Sequence, residues 1–118
     1  MDAFTYVLSI NGLIFLLSTV FYFFPPKKIN PIYGYRTRRT TSNSDVWSFA
    51  NSLFSTVLMK YSGISLIVAL LLTFLSGALM NSWLPMALMI LTLIVSIIQT
   101  EKGLNKNFDH KGDRKTKN

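Results

Sequence analysis

The chain has 118 residues, with 12 Lys and Arg against 5 Asp and Glu, no cysteine, and half of its residues hydrophobic. That length holds one domain at most, and the lack of cysteine removes disulfides, thiol catalysis and cysteine-based metal sites. Every charge lies outside three stretches, 3–24, 61–80 and 83–99. A soluble domain scatters charge along its helices, whereas charge-free blocks of this length are what a lipid solvent demands. The expected fold class is therefore all-α integral membrane, with three transmembrane helices plus a cytoplasmic interfacial amphipathic helix. Residues 1–100 are expected to form a single membrane domain and 101–118 a disordered basic cytoplasmic tail.

The first block, AFTYVLSINGLIFLLSTVFYFF, has no basic residue before it and no small-x-small cleavage site after it, so it is expected to stay in the mature protein. At about 1.5 Å per residue it reaches about 33 Å, enough for the hydrocarbon core with a little tilt. Pro25-Pro26 stop the helix, and Lys27 and Lys28 fall where head groups lie. Asn11, the one amide deep in this block, is explained by a helix–helix hydrogen bond at least as well as by transport. The other spans are expected at about 61–80 and 83–100, joined by Asn81 and Ser82 alone, either of which can cap the third helix. A connection that short makes an antiparallel hairpin, and Pro85 suits the first turn after it.

Basic residues set the expected orientation. Lys27, Lys28, Arg36, Arg38 and Arg39 stand against Asp45 in the first connection, and Lys60 follows; the tail has six Lys and Arg against Glu101, Asp109 and Asp113. The other side carries only Asp2 and an uncharged turn. The positive-inside rule places the N-terminus outside and both the 25–60 region and the C-terminus in the cytoplasm of a multi-pass cell-membrane protein.

From Val46 the apolar residues Val46, Trp47, Ala50, Leu53, Phe54, Val57, Leu58 and Tyr61 recur at helical spacing. This predicts an amphipathic helix of about four turns lying in the interface and bending near Gly63 into the second span. Ser42 and Asp45 have the form of a capping box, with Asn43 and Ser44 as alternative caps. Asn30-Pro31 and Gly34 favour an ordered turn that holds Arg36, Arg38 and Arg39 near lipid phosphates. The basic loop reads first as an orientation signal that draws anionic head groups. Arg36 is the exception, because its planar fork, between a Gly-Tyr pair and a threonine, suits a lipid phosphate or a helix-end carbonyl group. Trp47 reads as an interfacial anchor, and Asn51, facing away from the apolar stripe, as a hydrogen-bond partner of the preceding loop. In the tail Phe108 is expected to touch the interface at most, and His110 to be solvated rather than a metal ligand.

The run Asn30-Pro31, Gly34-Tyr35-Arg36-Thr37, Thr40, Trp47 and Ala50-Asn51 resembles the signature of the SdpI family, the immunity membrane proteins for the sporulation-delaying toxin. A GxRTxxT motif in that family is followed seven residues later by a tryptophan, the interval from Thr40 to Trp47 here. The chain departs at Arg38-Arg39, where many members carry Pro-Trp, and it lacks the additional spans of the longer founding immunity protein. The resemblance implies a small integral membrane protein whose family-motif and binding residues are Asn30, Pro31, Gly34, Tyr35, Arg36, Thr37, Thr40, Trp47 and Asn51.

No acid, base or ionisable pair lies inside the spans, and there is no phosphate loop, paired carboxylate or Ser-His-Asp set. Neither an enzyme nor a cofactor or metal site is expected. Nucleic acid is not expected either, because the charge of +7 is accounted for by orientation. The leading expectation is protection against a membrane-active peptide toxin by binding or sequestration at the membrane. The alternative is a scaffold or signalling protein whose basic loop recruits a cytoplasmic regulator. A third role, a small carrier, would require homo-oligomers.

Overall fold

In a computed structural model that describes residues 2–109, three helices are long and apolar enough to cross a membrane. They are α1 (Ala3–Phe23), α2 (Ser44–Leu75) and, after a single helical turn α3 (Gly77–Met80), α4 (Leu84–Asn107). Asp2 opens α1 by accepting the Thr5 N–H at 2.7 Å. Its exit at Phe24 runs into Pro25 and Pro26, which cannot donate to continue it. Asn43 is the residue that caps α2, its side-chain oxygen accepting the Val46 N–H at 2.8 Å, and Asp45 in the first turn suits the positive end of the helix dipole.

The connection between the last two spans is longer than the two residues expected. Ser76 turns extended, ends α2 inside the second apolar block, and caps α3 by accepting the Leu79 N–H at 3.3 Å. Trp83 then leads into α4, with Pro85 in its first turn as anticipated.

Two boundaries differ more. The amphipathic segment from Val46 is helical, but it is the first part of one uninterrupted 32-residue helix rather than an element of its own. The helix passes Gly63 without a break, and that glycine serves packing: a Cβ there would lie 3.2 Å from Cε1 of Phe15 on α1. Likewise α4 continues to Asn107, so residues 101–107, expected to be tail, form the last two turns of a helix. Phe108 is 1% exposed and stands edge-on to Phe49 with ring centroids 5.2 Å apart, which is core packing rather than interfacial contact. His110 and the rest of the expected tail lie outside the described residues.

The helices run antiparallel. Gly77 faces Ala3, Gly63 faces Phe15, and Phe21 stacks edge-on to Phe54, which sets α1 against α2 from Phe54 onward and against the start of α3. Ser18 and Ser62 share a hydrogen bond of 2.8 Å across this contact. Asn11, fully buried in a π-helical turn (Leu8–Gly12), donates to the Pro85 carbonyl at 3.4 Å and so ties α1 to α4. Small polar side chains fill the interior, including Ser55, Ser62, Ser65, Thr92, Ser96 and Thr100, while Leu16, Ile67, Leu71, Ile90 and Ile94 face outward. Lipid tails are as apolar as leucine and give it no reason to go inside, so close approach through small residues decides the packing. The buried hydroxyls of α4 donate to carbonyls one turn back, as from Thr92 to Leu88 at 2.9 Å and from Ser96 to Thr92 at 2.7 Å.

Helix lengths then create an overhang. By its rise α1 spans about 32 Å, close to the hydrocarbon thickness, whereas α2 and α4 reach about 48 Å and 36 Å. Because Ala3 is level with Gly77, the excess all emerges at the opposite end, beside the loop that joins α1 to α2. Replacing Ser62 tests the packing. Ser62→Leu should cost about 1–3 kcal/mol in thermal unfolding followed by circular dichroism in detergent, because the branched chain must part α1 from α2. Ser62→Ala, which loses only the hydrogen bond, should cost under about 1 kcal/mol.

Candidate functional site

The overhanging turns of α2 and α4 are roofed by residues 24–43, a loop held by side chains at every bend. Asn30 closes the first bend: its side-chain oxygen accepts the N–H groups of Ile32 at 3.0 Å and Tyr33 at 2.6 Å, and its amide donates to the Lys28 carbonyl at 3.0 Å. Pro31 sits exposed within that turn. Tyr33 then folds back, its hydroxyl donating to the Phe24 carbonyl at 2.6 Å and its ring standing edge-on to Phe21 at 5.5 Å.

Gly34 follows with φ of 119°, a conformation side chains resist, in a space that admits none. A Cβ there would lie 2.7 Å from Asn51 Oδ1, 2.8 Å from Pro26 Cγ and 3.2 Å from the Trp47 ring. Those neighbours are themselves fixed. Trp47, fully buried, donates from Nε1 to the Pro26 carbonyl at 2.9 Å. Asn51, 1% exposed, takes the Tyr35 N–H on Oδ1, while its Nδ2 donates to the carbonyls of Tyr35 at 3.4 Å and Trp47 at 2.9 Å.

Tyr35 is where the elements meet. Its carbonyl also accepts from Thr40 Oγ1 at 3.1 Å, its ring tilts over Phe54 at 4.7 Å, and its hydroxyl donates to Glu101 Oε2 on α4 at 2.8 Å. Burial first, then the carboxylate acceptor and its negative charge, push the Tyr35 hydroxyl well above its ordinary value of 10. Thr37 and Thr40 lock the next bend reciprocally, each hydroxyl accepting the other's N–H, at 2.8 Å into Thr40 and 3.1 Å into Thr37.

Arg39 closes the roof on the end of α4. Its guanidinium donates to Asn105 Oδ1 at 2.7 Å and to the carbonyls of Leu104 at 3.2 Å, Phe108 at 3.0 Å and Asp109 at 3.4 Å. A positive fork on carbonyls at and just past a helix C-terminus adds donors there and complements the helix dipole.

Gly34, Tyr35, Thr37, Thr40, Trp47 and Asn51 are thus drawn into one cap, and Asn30 and Pro31 shape the turn that leads to it. Two expectations change. Trp47 is a buried strut rather than an interfacial anchor, and Asn51, though it does bond the loop, points inward. The apolar stripe is the inner face at Val46, Trp47, Ala50 and Leu58, all buried, but that face extends further round the helix to Asn51, which meets the polar backbone of the roof. Helix-end carbonyl groups do have an arginine, but it is Arg39. Arg36 is exposed, and among the described residues its side chain makes no hydrogen bond. Lys27, Lys28, Arg38, Lys102 and Lys106 are exposed at the same end.

A family model described as the SdpI/YfhL protein family matches residues 27–100, which takes in most of the roof, all of α2, and α4 as far as Thr100. The chain belongs to this family. It is also 37% identical over 97 residues to the uncharacterized protein YfhL of Bacillus subtilis (strain 168), a match that covers 80% of this chain and 81% of the relative. No solved structure matches. As an SdpI/YfhL protein with three apolar helices, it is a small multi-pass membrane protein. Within this family frame, Arg39, Glu101 and Phe108 are the cap residues that sequence reasoning passed over. Their contacts join distant segments, 66 residues apart for Tyr35 with Glu101 and for Arg39 with Asn105, and local periodicity carries no signal for such pairs.

Three substitutions test the cap by thermal unfolding in detergent. Gly34→Ala should cost at least about 2 kcal/mol, since a positive φ and a clash with the Asn51 amide act together. Tyr35→Phe should cost about 1.5–3 kcal/mol, the worth of a hydrogen bond to a charged group. The pH dependence has a definite sign. A hydroxyl whose folded value is raised above 10 contributes stability that is intact below pH 10 and lost as pH rises beyond it. Wild type should therefore weaken relative to Tyr35→Phe above pH 10, and show no such difference in slope at neutral pH.

Proposed function

We propose that this protein protects its membrane against a membrane-active peptide toxin, by binding or sequestering the peptide at the bilayer. One observation carries the reading: of the residues that make the family motif from Gly34 to Asn51, Arg36 alone among the named ones is exposed without a described side-chain partner, while the others are spent on holding it in place. An exposed guanidinium carried by an ordered roof is placed to meet a carboxylate or phosphate. A lipid-facing groove between α2 and α4, lined by Ile64, Ser65, Val68, Leu88 and Thr92 among others, supports an apolar segment lying alongside. The Ser65 hydroxyl is buried there and has no partner among the described residues. Nothing in this reading calls for catalysis.

The test is survival of a sensitive bacterium that expresses the protein and is challenged with a panel of membrane-active peptides. Intact protein should raise survival against at least one peptide, and Arg36→Ala should abolish the gain at unchanged protein level, because the side chain is exposed and makes no hydrogen bond among the described residues. No protection by intact protein against any peptide would overturn the proposal. A second reading, recruitment of a cytoplasmic regulator, is favoured by the exposure of Arg36 beside Arg38. Charge reversal of that pair, rather than of Arg39, which the fold needs, should then release a soluble protein crosslinked from the roof.

We further propose that the roof faces the cytoplasm and the N-terminus lies outside. The exposed basic residues around the roof, against Asp2 at the other end, support this through the positive-inside rule. The natural chain has no cysteine, so single thiols report cleanly. Asn81→Cys and Ser42→Cys, both exposed, should react with an impermeant reagent from outside and inside respectively. Labelling of Ser42→Cys from outside would reverse the orientation.

A further inference from the structure

We propose that the tip of the roof, residues 27–32, is a wedge that seats Ile29 and Ile32 in the boundary between acyl chains and head groups of the surrounding bilayer. Ile32 is 90% exposed and Ile29 40% exposed. Neither is left on a slack segment. Two hydrogen bonds into Asn30 Oδ1, from the N–H groups of Ile32 and Tyr33, fix the backbone that presents Ile32, and Pro31 between them restricts it further. Pro26 and Gly34 meet at the base of the tip, where a Cβ on Gly34 would lie 2.8 Å from Pro26 Cγ, so 27–32 projects as a closed finger.

Depth follows from Tyr33. Its hydroxyl reaches the carbonyl of Phe24, the residue at which the chain leaves α1, and its ring lies against Phe21 one turn earlier. Ile32 is therefore returned to the level at which α1 leaves the hydrocarbon, instead of being carried out into water. Phe23 and Phe24, 63% and 71% exposed, mark the same level as apolar. Lys27 and Lys28, both exposed on the finger, complete an amphiphilic tip. Their long apolar stems can lie along the chains while the ammonium groups reach phosphate oxygens. An ordered turn with isoleucine outward, lysines beside it and a spanning-helix terminus at its base fits an anionic bilayer surface.

The cysteine-free chain permits a direct depth measurement on the full-length protein. Ile32→Cys, labelled with an environment-sensitive fluorophore, is reconstituted into vesicles of phosphatidylcholine and phosphatidylglycerol, with Ser42→Cys on the exposed side of the same roof as the reference. The Ile32 label should emit blue-shifted, lose intensity when lipids with a nitroxide near the head group are added, and resist aqueous iodide. The Ser42 label should show water-like emission and iodide quenching. Water-like emission with iodide quenching at Ile32 would overturn the wedge. So would a blue shift at Ile32 that ignores nitroxide lipid and grows with protein density, which would mean that a second copy covers the tip. Circular dichroism identical to the parent protein confirms that both labelled chains are folded, so each outcome decides the matter.

Discussion

The side-chain amide of Asn51 does for the roof what a neighbouring strand does in a sheet. It accepts from the Tyr35 N–H and donates to the Tyr35 carbonyl, while its remaining donor proton returns to Trp47 one turn back on its own helix. A helix satisfies its own backbone and offers nothing to a loop lying on it, so a loop buried there needs side chains for partners. Asparagine is suited because it carries donor and acceptor on one planar group. With Tyr35 pinned, Gly34 is forced into a positive φ, Trp47 fills the space beneath, and the Tyr35 hydroxyl is aimed at Glu101 on the last helix.

That last contact links the roof to the third span. The overhang brings the C-terminal turns of α4 level with the loop, and those turns end in carbonyl groups that need donors. Arg39 provides them. The turn locked by Thr37 and Thr40 presents Arg39 to α4 while leaving Arg36 and Arg38 exposed. Phe108 then closes the apolar side beneath, against Phe49, in a cluster with Tyr35, Val46, Ala50 and Leu104.

Much of the architecture was legible in the chain because the membrane leaves few choices. Charge-free blocks announce spanning helices, Pro25-Pro26 and Pro85 mark an end and a start, and Asn30-Pro31 announces a turn. The errors share one cause. Reading 46–61 as a helix with an apolar inner face and a wet outer one assumes that water is the outer solvent along its whole length. Water applies at Ser48 and Ser52, but further along the outer solvent is lipid, and there Ser55, Ser62 and Ser65 go inside while Ile64 and Ile67 go out. Asn51 sits near the change, so a stripe drawn through both halves misplaces it. The end of α4 was missed for a related reason: a polar helix end looks like a tail until a partner, here Arg39 and Tyr35 from far upstream, makes it worth ordering.

The division of labour within the motif bears on what its presence in a sequence means. A glycine with a positive φ, an asparagine bonded to backbone, a tryptophan donating to a proline carbonyl and two mutually capping hydroxyls are requirements of one three-dimensional arrangement, and each would be needed whatever the protein binds. Matching them therefore identifies the roof, not its ligand. A residue exposed on that roof is different, since the fold gains little from its identity and its position is nevertheless fixed to within the rigidity of the turn beneath it. Arg36 is in that position on the polar side and Ile32 on the apolar side, each held by backbone that its neighbours immobilise. An ordered platform that presents exposed cations and an exposed isoleucine close together is matched to a partner that is itself amphiphilic, which is the chemistry of lipid and of membrane-active peptides alike.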